Sequence, residues 1–235
     1  MGRLMANTKP LVILTRPRAQ SAEFAEALRQ VGFDGLILQA PVIQVVSKPS
    51  IFDQSDVTGA IFTSANAVRH SPVLDVPAWC VGDRTASEAQ KAGWSTISAN
   101  GNVEALLKLI KGQALQGPLV HFRGEHSRGK LAQRLSNLGI PIQDVVTYQQ
   151  IAQKLTAKAS AALTGEAPVI VPLFSPRSAR IFADMGPFSA PIHLILMSGA
   201  VSKEVVDLDT RSRLIVSVPT AKAMLEGIQS LIDAA

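Results

Sequence analysis

The chain has 235 residues, 47% hydrophobic and 17% charged, a balance that suits an α/β protein with a sizeable core in one large domain or two small ones. A net charge of +5 and an isoelectric point near 9.6 favour an acidic partner, but the basic residues are scattered and only 5% of the chain is aromatic, which excludes a nucleic-acid stacking platform and leaves a small polyanion. Cys80 is the only cysteine, the four histidines show no metal-ligand spacing, and no apolar run reaches the roughly 18–20 residues of a membrane span, so neither disulfide, metal, cofactor nor membrane is expected. The first residues lack a secretory apolar region, and a cytoplasmic location is expected.

In chain order, Leu11-Val12-Ile13-Leu14 is a strand of the fully buried type, ending at Thr15-Arg16-Pro17. Phe24, Ala25, Leu28 and Val31 then recur at helical spacing, and Gly32 supplies a left-handed stop. Leu36–Leu38 is the next strand, Pro41–Val46 an extended segment, and Ser47–Ser50 a turn. Ala60-Ile61-Phe62 leads into two hydroxyls, Thr63 and Ser64, and a helix that begins with Ala67, Val68 and Arg69. Cys80 lies in the apolar run Ala78–Val81 and is read as core, and Gly82 and Thr85 follow at a strand end.

The same grammar restarts at Pro118–Arg123, where Leu131, Leu135 and Leu138 make a helical face, Gly139 ends it, and Val145–Tyr148 is extended. Val171-Pro172-Leu173-Phe174-Ser175-Pro176-Arg177-Ser178 repeats the earlier junction, with Phe174 matched to Phe62 at the strand end. Arg16 matches Arg123 and Gly32 matches Gly139; Gly82 matches Gly199, with Ser202 as the following hydroxyl; Asn102 matches Thr220. Five matches in one order indicate two similar α/β halves. Strands that alternate with helices imply parallel sheets, whose ligands sit at the carboxyl ends of the strands. A helix N-terminus there offers unpaired N–H groups to an anion, with hydroxyls as further donors. The plain alternative is that Thr63, Ser64, Ser175 and Ser178 are N-caps that serve their own helices.

Gly124-Glu125-His126-Ser127-Arg128-Gly129-Lys130 spells a P-loop as far as its lysine, but Leu131 stands where a magnesium-binding hydroxyl is required. Nucleotide hydrolysis is therefore not expected. Arg123 and Arg128 keep a role as carboxylate clamps.

Taken together, Thr15-Arg16-Pro17, Ile61–Ser64, Val81-Gly82 with Thr85, Arg123-Gly124 with Arg128, Thr147-Tyr148, Phe174-Ser175-Pro176 and Val218-Pro219-Thr220 resemble the uroporphyrinogen-III synthase family over nearly the whole length. Ser198–Ser202 departs from the family pattern, and Arg177 and Arg180 add charge at the second junction. The resemblance implies an α/β protein of two similar flavodoxin-like parallel-sheet domains joined by a two-stranded linker, with the substrate cleft between them. It implies a first domain of residues 10–39 and 152–235, a second of residues 45–145, and linker strands at 40–44 and 146–151. The implied activity is a cyclising lyase that turns hydroxymethylbilane into uroporphyrinogen III, with the last ring inverted through a spirocyclic intermediate and water released. The implied partners are that substrate, hydroxymethylbilane synthase as its source, and no second subunit. Substrate contacts are expected from Arg16, Thr63, Ser64, Gly82, Thr85, Arg123, Arg128, Ser175, Ser178, Gly199, Ser202 and Thr220. Tyr148, whose phenol is a poor base at neutral pH but a competent hydrogen-bond donor, is the expected catalytic residue. The other class open to such a basic, duplicated chain is a non-catalytic two-lobed binding or sensor module for an anionic small molecule.

Overall fold

Runs of apolar residues bounded by glycine, proline and hydroxyl side chains become strands, and the amphipathic stretches between them become the helices that cover those strands. The computed structural model describes residues 10–113, 115, 117–126 and 130–233. In chain order, β1 (Leu11–Leu14), α1 (Arg18–Gln30), β2 (Leu36–Gln39) and β3 (Ile43–Ser47) come first. They are followed by β4 (Gly59–Phe62), α2 (Ala65–Arg69), β5 (Pro77–Cys80), α3 (Asp83–Lys91), β6 (Ser95–Ser98) and α4 (Val103–Gly112). Next are β7 (Leu119–Gly124), α5 (Leu131–Ser136), β8 (Ile142–Ala152), α6 (Ala157–Leu163), β9 (Val169–Leu173) and α7 (Pro176–Ala183). The chain closes with β10 (Ile192–Leu196), α8 (Gly199–Lys203), β11 (Ser212–Ile215) and α9 (Ala221–Asp233).

The chain divides into two compact units. Unit 1 takes the residues up to Gln44 and from Ala152 onward, and unit 2 takes Val45–Ile151. Unit 1 contains a five-stranded sheet in the order β11-β10-β9-β1-β2, with every neighbouring pair parallel. Counted within the unit, that is 2-1-3-4-5, the flavodoxin-like order. The sheet of unit 2 runs β3-β8-β7-β4-β5-β6. Its strands from β8 to β6 are parallel and acquire the same 2-1-3-4-5 order once counting begins at β7. The second unit is thus a circular permutation of the first. Each unit joins the opening βαβ of one sequence half to the later strands of the other half. Strand β3 lies beside β8, and the hydrogen bonds Lys48 N–H to Thr147 O and Gln153 N–H to Val42 O run in the antiparallel sense.

Alternation along the strands divides each sheet between two cores, as a strand covered on both faces requires. In unit 1, Ile13, Val169, Val171, Leu173, Ile192 and Leu194 enter one core, while Val12, Leu14, Ile170 and Ile195 enter the other with Phe24 and Leu28 of α1. In unit 2, Ala60, Phe62, Ala78, Cys80, Val120 and Phe122 share a face with Trp94, and Ile61, Trp79 and Leu119 meet Leu106, Ile110, Leu131 and Leu135 on the other. Cys80 is a core residue, as its apolar neighbours imply, and burial pushes its thiol up to about 12. Gly59 has no room for a side chain, since a Cβ there would lie 2.2 Å from the Trp79 ring. Gly32 and Gly139 take the left-handed backbone expected of them, at φ +90 and +78.

Three details of the expected pattern are corrected. Leu138 lies beyond α5 and is exposed, because that helix stops at Ser136. Phe62 and Phe174 are not equivalent: Phe62 ends β4, whereas Leu173 ends β9 and Phe174 follows it, so the two junctions align one residue away from the Phe-to-Phe match. Likewise Gly82 is the N-cap of α3, but Ser198 rather than Gly199 holds that place on α8.

Candidate functional site

The carboxyl end of β4 in unit 2 gathers the densest set of polar side chains named from the sequence. Phe62 is wholly buried, and the two residues after it carry hydroxyls in succession toward opposite faces of the sheet. Ser64 caps α2, its Oγ accepting the Asn66 N–H at 3.2 Å, and it also accepts the Tyr148 O–H at 3.3 Å. With both lone pairs taken, the serine proton is what remains to point outward.

Tyr148 reaches this place through a break in β8. Val145 opposes Phe122 and Val146 opposes Arg123, but Tyr148 rather than Thr147 opposes Gly124. That irregularity turns Tyr148 onto the face that Val145 already occupies, which a regular strand would forbid for residues three apart. The tyrosine ring lies against Gly124, where a Cβ would sit 2.5–2.8 Å from Cζ, Cε2 and the hydroxyl. His70 lies 5.8 Å from the same ring and places Nδ1 2.8 Å from Ser47 Oγ. Burial, and secondarily the charge of Arg69, lowers the His70 pKa, which keeps it neutral at pH 7.

Thr63 faces the other way. Its Oγ1 is 3.2 Å from His121 Nε2, and His121 Nδ1 is 2.8 Å from Asp144 Oδ1. Arg123 Nε stands 2.9 Å from Asp144 Oδ2. His121 is only 3% exposed, while Asp144 and Arg123 are partly open. Burial opposes ionisation of Asp144, but the hydrogen bond from His121 and the neighbouring Arg123 outweigh it and hold the carboxyl below its ordinary range.

In unit 1 the expected residues are more dispersed. The Arg16 guanidinium lies 4.3 Å from the centre of the Phe174 ring, which itself meets Phe24 edge-on at 4.9 Å. Ser175 caps α7 by accepting the Ser178 N–H at 3.2 Å. Ser178, expected to contact substrate, is 4% exposed and spends its hydroxyl on Ser175, 2.8 Å from Oγ and 3.1 Å from the carbonyl oxygen. It is a piece of the cap. Ser175→Ala should accordingly lower stability by about 1 kcal/mol, a shift of roughly 2–4 °C in melting temperature, and an unchanged melting curve would refute the assignment.

Thr220 is an exposed cap of α9 through the Ala223 N–H at 3.2 Å, Gly199 is an exposed first residue of α8, and Ser202 lies one turn on, partly exposed. Gly82 has extended backbone, and a Cβ would find Gly101 O at 3.5 Å, so neither strain nor crowding requires glycine there. Thr85 is buried in the first turn of α3. Arg128 lies outside the described residues. Leu131, which broke the P-loop pattern, is 3% exposed and belongs to a core, so it presents no ligand to an ion.

The sequence reading missed His121 and Asp144. The available signal was a lone histidine inside the buried run Leu119–Phe122, because an imidazole in an apolar strand demands polar partners on its own face.

Comparison with known proteins agrees with this architecture. A uroporphyrinogen-III synthase of Chlorobaculum parvum is 24% identical over 160 residues, 61% of this chain and 65% of that protein, so the match spans a little under two thirds of the relative. The solved uroporphyrinogen-III synthetase of Helicobacter pylori superposes with a TM-score of 0.69 at 17% identity, covering 94% of this chain and 99% of that one. A mutant uroporphyrinogen III synthase of Thermus thermophilus gives 0.53 at 13%, covering 96% and 100%. At such identities the structures speak for the fold, two units of parallel-sheet α/β architecture. Residues 22–226, which hold every strand from β2 to β11 and with them Thr63, Ser64, His121 and Tyr148, match the family model described as uroporphyrinogen-III synthase HemD, and the chain belongs to that family.

Proposed function

We propose that the chain is a cyclising lyase of tetrapyrrole biosynthesis, converting hydroxymethylbilane into uroporphyrinogen III with inversion of the last ring. The family match over residues 22–226 carries this reading. The site at the end of β4 supplies chemistry that suits it.

Hydroxymethylbilane loses its terminal hydroxyl as water, and the resulting cation closes, fragments and recloses through a spirocyclic intermediate. The substrate also closes unaided without inversion, so the task of the protein is to hold one geometry and help the hydroxyl leave. Ser64, with its lone pairs occupied by Asn66 and Tyr148, is set up to donate its proton to that hydroxyl. Tyr148 donates to Ser64 in turn, so the phenol acts through the serine. Within unit 2, Arg123 offers its guanidinium to the substrate carboxylates, and the helix N-terminus behind Gly82 adds N–H donors.

This reading includes a monomer working in the cytoplasm on substrate released by hydroxymethylbilane synthase. Among the described residues no helix is long and apolar enough to cross a membrane. The test is the ratio of isomer III to isomer I when purified protein meets hydroxymethylbilane. Predominant isomer III is expected. An unchanged, spontaneous yield of isomer I together with measurable substrate binding would favour the two-lobed binding module instead.

A further inference from the structure

We propose that Thr63, His121 and Asp144 form a base relay that takes up the proton released when the macrocycle recloses, with Thr63 touching the substrate and His121 acting through it as a positioning and proton-holding residue. The proposal rests on the synthase reading above and assigns to the opposite face of the same strand end the complement of the Ser64 acid.

The need for such a base follows from the reaction. When the cation attacks the free α-carbon of the last ring, that carbon becomes tetrahedral and the ring loses its aromaticity. Its C–H bond must then break, the electron pair restoring the pyrrole and the proton going to a base. The geometry supplies one. An ionised Asp144 can only accept, so the 2.8 Å contact requires His121 Nδ1 to carry a proton. In the neutral ring Nε2 is then an acceptor, and Thr63 donates its O–H to it across 3.2 Å. The threonine lone pairs are left facing outward at the partly open end of β4. As Thr63 Oγ1 takes the substrate proton, its own proton passes to Nε2, and the imidazolium so formed lies against the Asp144 carboxylate. Release of that proton to water restores the neutral ring, balancing the proton spent when the hydroxyl departed.

The surroundings fit a proton path better than a packing histidine. His121 is sealed from water, whereas Thr63 at one end and Asp144 at the other are partly open, so the imidazole is the link between two accessible groups. Among the described residues, the charged groups at the ring are Asp144 from β8, in contact with it, and Arg123 at the end of β7, which pairs with Asp144. Strand β4 contributes the uncharged Thr63, and α4 and α5 cover that face with Leu106, Ile110, Leu131 and Leu135. The hydrogen bond from His121 and the neighbouring Arg123 hold the Asp144 carboxyl below its ordinary range, and its oxygen, as an acceptor, fixes the tautomer.

The experiment compares the parent with His121→Gln and Thr63→Val, using substrate deuterated at the α-carbon of the last ring. His121→Gln retains a hydrogen-bonding group beside Thr63 but cannot hold a transferred proton. A fall in kcat of about 10- to 100-fold, little change in KM, and a primary isotope effect larger than in the parent are expected for both variants, with the double variant no worse than either single one. Unchanged kcat with no new isotope effect, or additive losses, would overturn the relay. Nitrogen NMR of the parent judges it without any variant: the neutral His121 ring should carry its proton on Nδ1 rather than Nε2, and the reverse tautomer refutes the proposal. Failure of the parent to form isomer III counts against the synthase reading, whereas the tautomer bears on the relay alone.

Discussion

Phe122→Ala should destabilise the protein by about 3–5 kcal/mol, enough to lower its melting temperature by roughly 10 °C. Phe122 is wholly buried on β7 and is the centre of an aromatic group in unit 2. It meets Phe52 edge-on at 5.2 Å, stacks with Phe62 at 5.6 Å and lies 6.3 Å from Trp94. Truncation removes the transfer energy of the ring, leaves a cavity that rigid aromatic neighbours cannot close, and deletes several ring pairs worth about 0.5–1.5 kcal/mol each. Phe62 depends on the same packing and directly precedes Thr63 and Ser64. Thermal unfolding monitored by circular dichroism is the check, and a melting temperature within a degree or so of the parent would mean that this group is not the core of the unit.

Gly124→Ala is the second large effect, and it couples stability to activity. The added methyl would fall 2.5–2.8 Å from three atoms of the Tyr148 ring, a distance that forces the ring to move. Overpacking of this kind costs about 1–3 kcal/mol. Because the Tyr148 hydroxyl reaches Ser64 only at 3.3 Å, displacement of the ring ends that hydrogen bond as well. Tyr148→Phe is the companion variant, since it removes the donor and keeps the ring, so stability should barely change while kcat falls by at most about 100-fold. Gly124→Ala should lower kcat at least as far, and combining the two should add little, because both act through one hydroxyl. Full isomer III synthesis by Gly124→Ala at parental stability would show that the tyrosine does not depend on this seat.

The central strands were legible because they are covered on both faces, and unbroken apolar runs such as Leu11–Leu14 and Val171–Leu173 announce that directly. The glycine stops were legible because Gly32 and Gly139 occupy backbone that other residues resist. The repeat was visible, but at two junctions it was matched one residue out of step, since Phe62 and Phe174 share a side chain and not a position. The site was harder to read for reasons of geometry. Tyr148 could be named, but a regular strand would have turned it away from Val145, and the bulge that brings it to Ser64 leaves no sign in the order of apolar residues. His121 and Asp144 lie 23 residues apart in the chain and become neighbours through parallel pairing of β7 with β8, a register that neither strand declares alone. Ser178 had the right residue type, yet whether a hydroxyl in a first helical turn faces outward or closes the cap depends on its rotamer.

The permuted relation between the two units bears on how the chain is made. Strand β1 emerges first from the ribosome but pairs with β9, so that Leu11 must wait for Val169, and the sheet of unit 1 cannot close until most of the chain exists. Unit 2 is contiguous and has all its strands once β8 has been synthesised. The loop-closure entropy of joining β1 to β9 is therefore met after the intervening residues can already be folded, which shortens the effective loop that has to be ordered. Until then β1 and β2 form a small parallel pair with both edges unpaired, too little to bury its own apolar faces, and a nascent chain halted before β9 exposes Val12, Ile13 and Leu14 to any chaperone or neighbouring strand within reach.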